Sequence, residues 1–266
     1  MKILVCFKTV PDFDQVVDAD WEHFDVQTSI SYVKRTFGRF DETALETALR
    51  LKDALQAQGR EVECSAITLG TLPPPLRKTL YAAGFDHVHV LENDAGASPT
   101  GMEFRPKETA AALAQFISGG NWDLILAGRQ AGYADSGIVP FYLAEKLRIP
   151  VISEAECLSQ TGVNSILIDR RGLSGKERIG ICLPAVVVMG NSYVSSLRSA
   201  TLAAQLQAAK RAAEPVAVCV GDADVKKSPR LVREPVRKTC RILPGGRAMN
   251  QSVREIARQL KVRGVS

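Results

Sequence analysis

The sequence predicts an α/β protein: a doubly wound, mostly parallel sheet with an added antiparallel hairpin and an extended C-terminal arm. Short apolar runs alternate with amphipathic helical stretches as far as Leu147. Two strand-like runs then flank a glycine-rich turn, and the final residues lose the rhythm and turn basic. Repeated βα units imply parallel strands, because each crossover helix returns the chain to the same end of the sheet.

Ile3–Phe7 is a short apolar run with few polar breaks, as expected of a strand buried on both faces. From Asp41 to Gln58 the period changes, and Ala44, Ala48, Leu51 and Leu55 share one helical face. Asp41 and Glu42 sit where the helix dipole favours acids, and Gly59 is the stop. Strands are expected at Glu61–Leu69, His87–Leu91 and Asp123–Ala127. Helices are expected from Pro73 to Gly84, at Lys107–Ile117 and at Ile138–Leu147. Ser165–Ile168 and Arg178–Leu183 flank Gly172-Leu173-Ser174-Gly175 and predict a hairpin over about 163–183. Ala185–Met189 reads as another buried strand, 190–199 as a polar loop and Ala200–Ala212 as a helix. A short helix is expected near Val253–Leu260. This divides the chain into an α/β domain at 1–220 and a C-terminal arm at 221–266.

Composition narrows the function. The 266 residues are 45% apolar and 24% charged, enough for a substantial core. No apolar run is long enough to span a bilayer, and Ile3–Phe7 is too short for a secretory segment, so a cytoplasmic protein with no membrane insertion is expected. From Lys226 to Ser266 there are 12 Lys and Arg against 2 Asp and Glu, a balance of +10. The rest balances at −5. The arm has no aromatic residues to stack on bases and contains Pro229, Pro235 and Pro244. It suits an acidic protein surface rather than nucleic acid.

Catalytic motifs are missing. No GxSxG, HExxH or phosphate-loop pattern occurs. His87 and His89 lie at i, i+2 without a third ligand, and His23 stands apart. Asp12, Asp14, Asp18 and Asp20 lack the glycine and terminal glutamate of a calcium loop and read as solvated. The six cysteines (6, 64, 157, 182, 219 and 240) form no CxxC pair and are expected to be reduced, buried thiols.

The stretch Leu126–Gly137 is the informative one. A buried strand ends in a loop with three glycines, Gly128, Gly132 and Gly137, and a helix follows. Glycines let backbone approach a ligand, the helix N-terminus offers N–H groups, and this strand edge is where doubly wound sheets bind ligands. Phosphates are expected at Gly128–Gly137, with Ser136 and Gly137 nearest. Asp135 is expected to accept from backbone N–H groups or ribose, because its charge would oppose a close phosphate.

Five blocks carry a resemblance. Lys2–Asp12, Phe40–Lys52, Gly128-Arg129-Gln130-Ala131 with Asp135, Leu183–Val187 and Arg198–Leu202 resemble, in order, segments of electron-transfer flavoprotein beta subunits. The resemblance implies an adenine-nucleotide-binding, HUP-like fold. It implies an electron-carrier subunit rather than a stand-alone enzyme, working with an alpha subunit that shares FAD. The beta site holds AMP in most members and a second FAD in members that bifurcate electrons from NADH. Gly128–Ala131 looks closer to the bacterial form shared with bifurcating members, which favours FAD. Carried over by position, the nucleotide contacts are Cys6; Gly38, Arg39, Phe40 and Asp41; Leu69; and Gly128, Arg129, Gln130, Ala131, Gly132, Tyr133, Ala134, Asp135, Ser136, Gly137, Ile138 and Val139.

The resemblance also makes 190–199 a loop that docks an acyl-CoA-type or other flavin dehydrogenase. Asn191, Tyr193, Val194, Leu197 and Arg198 are its contact residues, with Tyr193, Val194 and Leu197 expected to be exposed apolar anchors. The chain departs from the family in two places. Ile138 and Pro140 replace the usual amide and closing glycine, and Leu197-Arg198 replaces Pro-Arg. A free-standing nucleotide-sensing protein is the alternative, but it has no need of the hairpin, the docking loop and the basic arm.

Overall fold

The computed structural model describes residues 1–16, 33–92, 102–160, 162, 164–219, 243, 246 and 249–262. The chain divides into two compact units, Met1–Arg230 and Leu231–Ser266. Asp18, Asp20, His23 and Cys240 lie outside the described residues, as does most of the arm.

The first unit holds strands β1 (Lys2–Cys6), β2 (Thr9–Pro11), β3 (Arg35–Phe37), β4 (Glu63–Leu69), β5 (His87–Glu92) and β6 (Leu124–Gly128). They are followed by β7 (Val151–Gln160), β8 (Ser165–Gly172), β9 (Gly175–Cys182), β10 (Ala185–Met189) and β11 (Glu214–Ala217). Its helices are α1 (Arg39–Gln56), α2 (Pro74–Ala83), α3 (Pro106–Ser118), α4 (Val139–Leu147) and α5 (Leu202–Ala208). Nine strands form one sheet in the order β11-β5-β4-β1-β6-β10-β7-β8-β9, while β2 and β3 form a separate antiparallel pair. β1 is parallel to both β4 and β6. The winding reverses at β1, which leaves a crevice at the C-terminal ends of β1 and β6.

Alternation along β1 sets the two-layer core. Ile3 and Val5 pack with Leu45, Leu49 and Leu80 on one face, under α1 and α2. Leu4 and Cys6 pack with Leu113, Ile117 and Leu143 on the other, under α3 and α4. Successive strand side chains point to opposite faces, so an apolar run of this kind feeds both layers.

The buried arc of α1 is wider than the expected face. Thr43, Glu46 and Lys52 are buried as well. Thr43 Oγ1 donates to Val194 O at 3.0 Å, and Arg198 binds Glu46, so the loop at 190–199 covers a second side of the helix. Lys52 Nζ is held by both oxygens of Asp86 at 2.8 and 2.7 Å and by Gly84 O at 2.9 Å.

Four strands were not expected. β7 mixes acids with apolar residues but lies between β10 and β8. β2, β3 and β11 are three or four residues long. The expected helix at Ala200–Ala212 is shorter, because Thr201 Oγ1 caps it from Ala204 N and the chain turns toward β11. Cys182 and Cys219 are exposed rather than buried, as is Cys157, while Cys6 and Cys64 are buried. Cys182 ends the edge strand β9, whose outer side no strand of the described residues covers. No helix of the described residues is long and apolar enough to cross a membrane. In the second unit, α6 (Met249–Val262) starts a turn earlier than expected.

Candidate functional site

A cleft opens where the ends of β1, β4 and β6 meet. Cys6, Leu69, Ala127 and Gly128 form its floor, and Asp41 reaches it from the first turn of α1. Asp41 is 5% exposed, and its Oδ2 accepts Lys8 N–H at 3.3 Å. A second backbone bond comes from Gly128. One carboxyl therefore ties the ends of β1 and β6 to α1. Burial pushes Asp41 up to about 7, against the downward pull of those N–H bonds and of the Lys8 charge. Burial, then the neighbouring Asp41 charge, pushes the Cys6 thiol up to about 12, far from a reactive thiolate.

The glycines allow the close approach. A Cβ on Gly128 would lie 2.7 Å from Asp41 N and from Phe40 C, so only hydrogen fits there. Gly137 has φ +65°, which suits a residue without a side chain. Beyond Gly128, the loop is held by Lys8 Nζ, which donates to Tyr133 O at 2.8 Å. Tyr133 packs on Phe13 and Phe104 at 5.5 and 6.0 Å between ring centroids. Asp135 Oδ2 faces Gly132 N–H at 3.4 Å, a backbone contact of the kind expected for it.

Arg129, Gln130, Ala131, Ala134, Asp135, Ser136, Gly137 and Val139 line the cleft together with the floor residues. Gly38, Arg39, Phe40, Gly132, Tyr133 and Ile138 do not. Gly38 packs beneath Ala131, Phe40 lies under the Arg129 guanidinium, and Arg39 and Ile138 face outward. The N-terminus of α4 offers fewer donors than expected. Pro140 has no N–H, and the Phe141 and Tyr142 N–H groups both return to Ile138 O at 3.1 Å.

Sequence reasoning did not name Lys8, Thr9, Arg35, Thr71, Met102 and Thr109, which also line the cleft. Lys8 and Thr9 lie two and three residues past the end of β1, so the rule that ligands bind at strand ends could have found them. Arg35 and Met102 arrive from distant segments with no local signal.

The loop at 190–199 differs from the expected row of exposed anchors. Tyr193 is 81% exposed, with Lys176 Nζ donating to its hydroxyl at 2.8 Å. Asn191 is exposed and Val194 half-buried. Leu197 instead packs against the α1-side core. Arg198 is tied down: its Nε donates to Glu46 Oε2 at 3.0 Å and its Nη1 to Asp53 Oδ2 at 2.7 Å. Burial raises the Glu46 carboxyl, but the hydrogen bonds from Arg198 and Arg50 outweigh this and hold it below its ordinary range.

The cleft presents backbone groups, small residues and committed cations rather than a nucleophile with a base. That chemistry suits holding a ligand. Residues 30–189, more than half of the chain, match the family model of the electron transfer flavoprotein domain. The matched stretch runs through β3, α1, the glycine loop and the hairpin to the end of β10. The chain belongs to the electron transfer flavoprotein domain family.

Proposed function

We propose that this chain is the beta-type subunit of an electron-transfer flavoprotein and binds an adenine nucleotide in the cleft between β1 and β6. The observation that carries the reading is the cleft itself. It lies at the winding reversal of the sheet, floored by glycine backbone and lined by Ala131, Ala134, Asp135, Ser136, Gly137 and Val139. The five ordered sequence blocks favour the beta subunit. The nucleotide is AMP or a second FAD, and the form of Gly128–Ala131 favours FAD.

In this reading an alpha-type subunit shares the electron-carrying FAD and receives the basic arm, and a flavin dehydrogenase delivers electrons. The arm's +10 balance matches an acidic surface and would speed association more than strengthen it. On α6, Met249, Val253 and Ile256 are exposed at i, i+4 and i+7, an apolar face available to a partner. FAD supplies the redox chemistry when bound, while this chain's residues bind and orient the nucleotide.

The test is to co-express the chain with its alpha-type partner, denature the purified complex and count nucleotides. Two FAD per heterodimer supports the FAD form, and one FAD with one AMP supports the AMP form. A chain that stays monomeric beside the partner and carries no nucleotide overturns the reading.

A further inference from the structure

Arg129 lines the cleft, yet its charge is already spoken for. Its Nη1 donates to Glu154 Oε1 and Oε2 at 3.0 and 3.1 Å, and its guanidinium lies 4.6 Å from the Phe40 ring centroid. Its Nε is buried without an acceptor among the described residues. Glu154 sits behind it on β7, where the register with β10 shifts between Val187 and Met189. Glu154 has φ +59°, a left-handed conformation that costs a residue with a Cβ roughly 1–2 kcal/mol. Gly190 leaves space for it, since a Cβ there would lie 2.6 Å from Glu154 Oε2. Glycine at 154 would serve this bulge better, so a glutamate here points to a use for its carboxylate.

The other cleft cations are held in place by neutral groups. Lys8 Nζ is held by Tyr133 O, and Arg35 by the Thr9 hydroxyl and carbonyl. Asp135 adds a carboxylate to the wall.

We propose that Glu154 is a positioning and specificity-determining residue, which cancels the Arg129 charge and fixes its plane on Phe40. The cleft then accepts an adenine nucleotide with little phosphate charge, a monophosphate or the diester of a dinucleotide, over a triphosphate. Arg129 then presents a neutralised ion pair to the ligand instead of a free cation. This rests on the nucleotide reading above.

The experiment measures AMP and ATP affinities of the full chain by competition at fixed ionic strength. In Glu154→Gln, Arg129 regains its charge toward the ligand, and the ATP-to-AMP affinity ratio rises on the order of a hundred-fold, because each of the two further charges of ATP, at about 10 Å in a medium of effective dielectric near 20, contributes roughly ten-fold. Glu154→Gly shows the same rise with no loss of melting temperature, because it relieves the backbone. In Arg129→Gln/Glu154→Gln the rise disappears, which a merely structural role for Glu154 would not produce. An unchanged ratio in both single variants, or a rise that persists without Arg129, overturns the proposal while leaving the nucleotide site intact. A wild-type chain that binds neither AMP nor ATP nor FAD refutes the underlying reading and this proposal with it.

Discussion

Asp41→Asn isolates the electrostatics of the cleft floor. Asp41 is 5% exposed, and burial holds its carboxyl at about 7, against about 3.9 in an unfolded chain. The folded state thus binds this proton more tightly than the unfolded state does. The stabilisation is fully present below about pH 4 and is lost as pH rises through 7. Three pH units correspond to about 4 kcal/mol. Asparagine cannot ionise, yet it keeps an oxygen to accept the Lys8 and Gly128 N–H groups. The variant and the parent should therefore match near pH 4, and the variant should be the more stable by up to about 4 kcal/mol at pH 8.5. Urea unfolding from pH 4 to 9, with the cleft emptied of ligand, gives the difference between the two profiles. Other titrating groups cancel in that difference. Parallel profiles would refute the reasoning, because they would mean that Asp41 releases its proton equally well folded and unfolded.

Three further outcomes are expected. Alanine at the loop glycines should destabilise in the order Gly128, Gly137, Gly132: the first meets α1 backbone at 2.7 Å, the second combines φ +65° with Arg129 O at 3.3 Å, and the third has φ +82° in open space. Costs of about 3, 2 and 1 kcal/mol respectively would appear as falling melting temperatures. Arg198→Ala leaves the Glu46 carboxylate buried without its main partner and should cost roughly 2 kcal/mol, discounted for the partial exposure of the arginine; the loss, measured by denaturant unfolding, should shrink in acid because the lowered Glu46 carboxyl favours the fold only while ionised. On the proposed docking role of its loop, Tyr193→Ala removes a strongly exposed side chain and should slow electron transfer from a flavin dehydrogenase, read by stopped-flow flavin absorbance, with nucleotide content and melting temperature unchanged.

What the sequence made legible was local. The unbroken run at Ile3–Phe7 suits a strand fed to two layers, and the period through Ala44, Ala48, Leu51 and Leu55 suits a helix face. The glycines after Leu126 marked the cleft, because backbone approach leaves a compositional trace. β7 left none. Its acids Glu154 and Glu156 are accommodated by Arg129 and Arg171 from other elements, which no window of sequence reveals. Leu197 and Arg198 look like exposed loop residues until α1 is placed beside them. The outward turn of Arg39 and Ile138 likewise depends on how helices enter the site, not on which residues they contain.

The contacts of the loop at 190–199 were missed because α1 serves two surfaces at once. Its first turn closes the cleft: Gly38 fits beneath Ala131, and Asp41 binds the ends of β1 and β6. One turn later, Thr43 and Glu46 hold the loop at Val194 and Arg198. An 18-residue helix that only capped a sheet would need one apolar stripe, and the sequence does contain that stripe. The buried Asp41, Thr43 and Glu46 fall outside it and look, in isolation, like a solvated edge. Burying each of them is costly unless it is bonded; Asp41 is bonded to the strand ends, and Thr43 and Glu46 to the loop at 190–199. The polar residues of α1 therefore fix where the glycine loop and the loop at 190–199 sit relative to one helix, while its apolar residues fix only that the helix lies on the sheet.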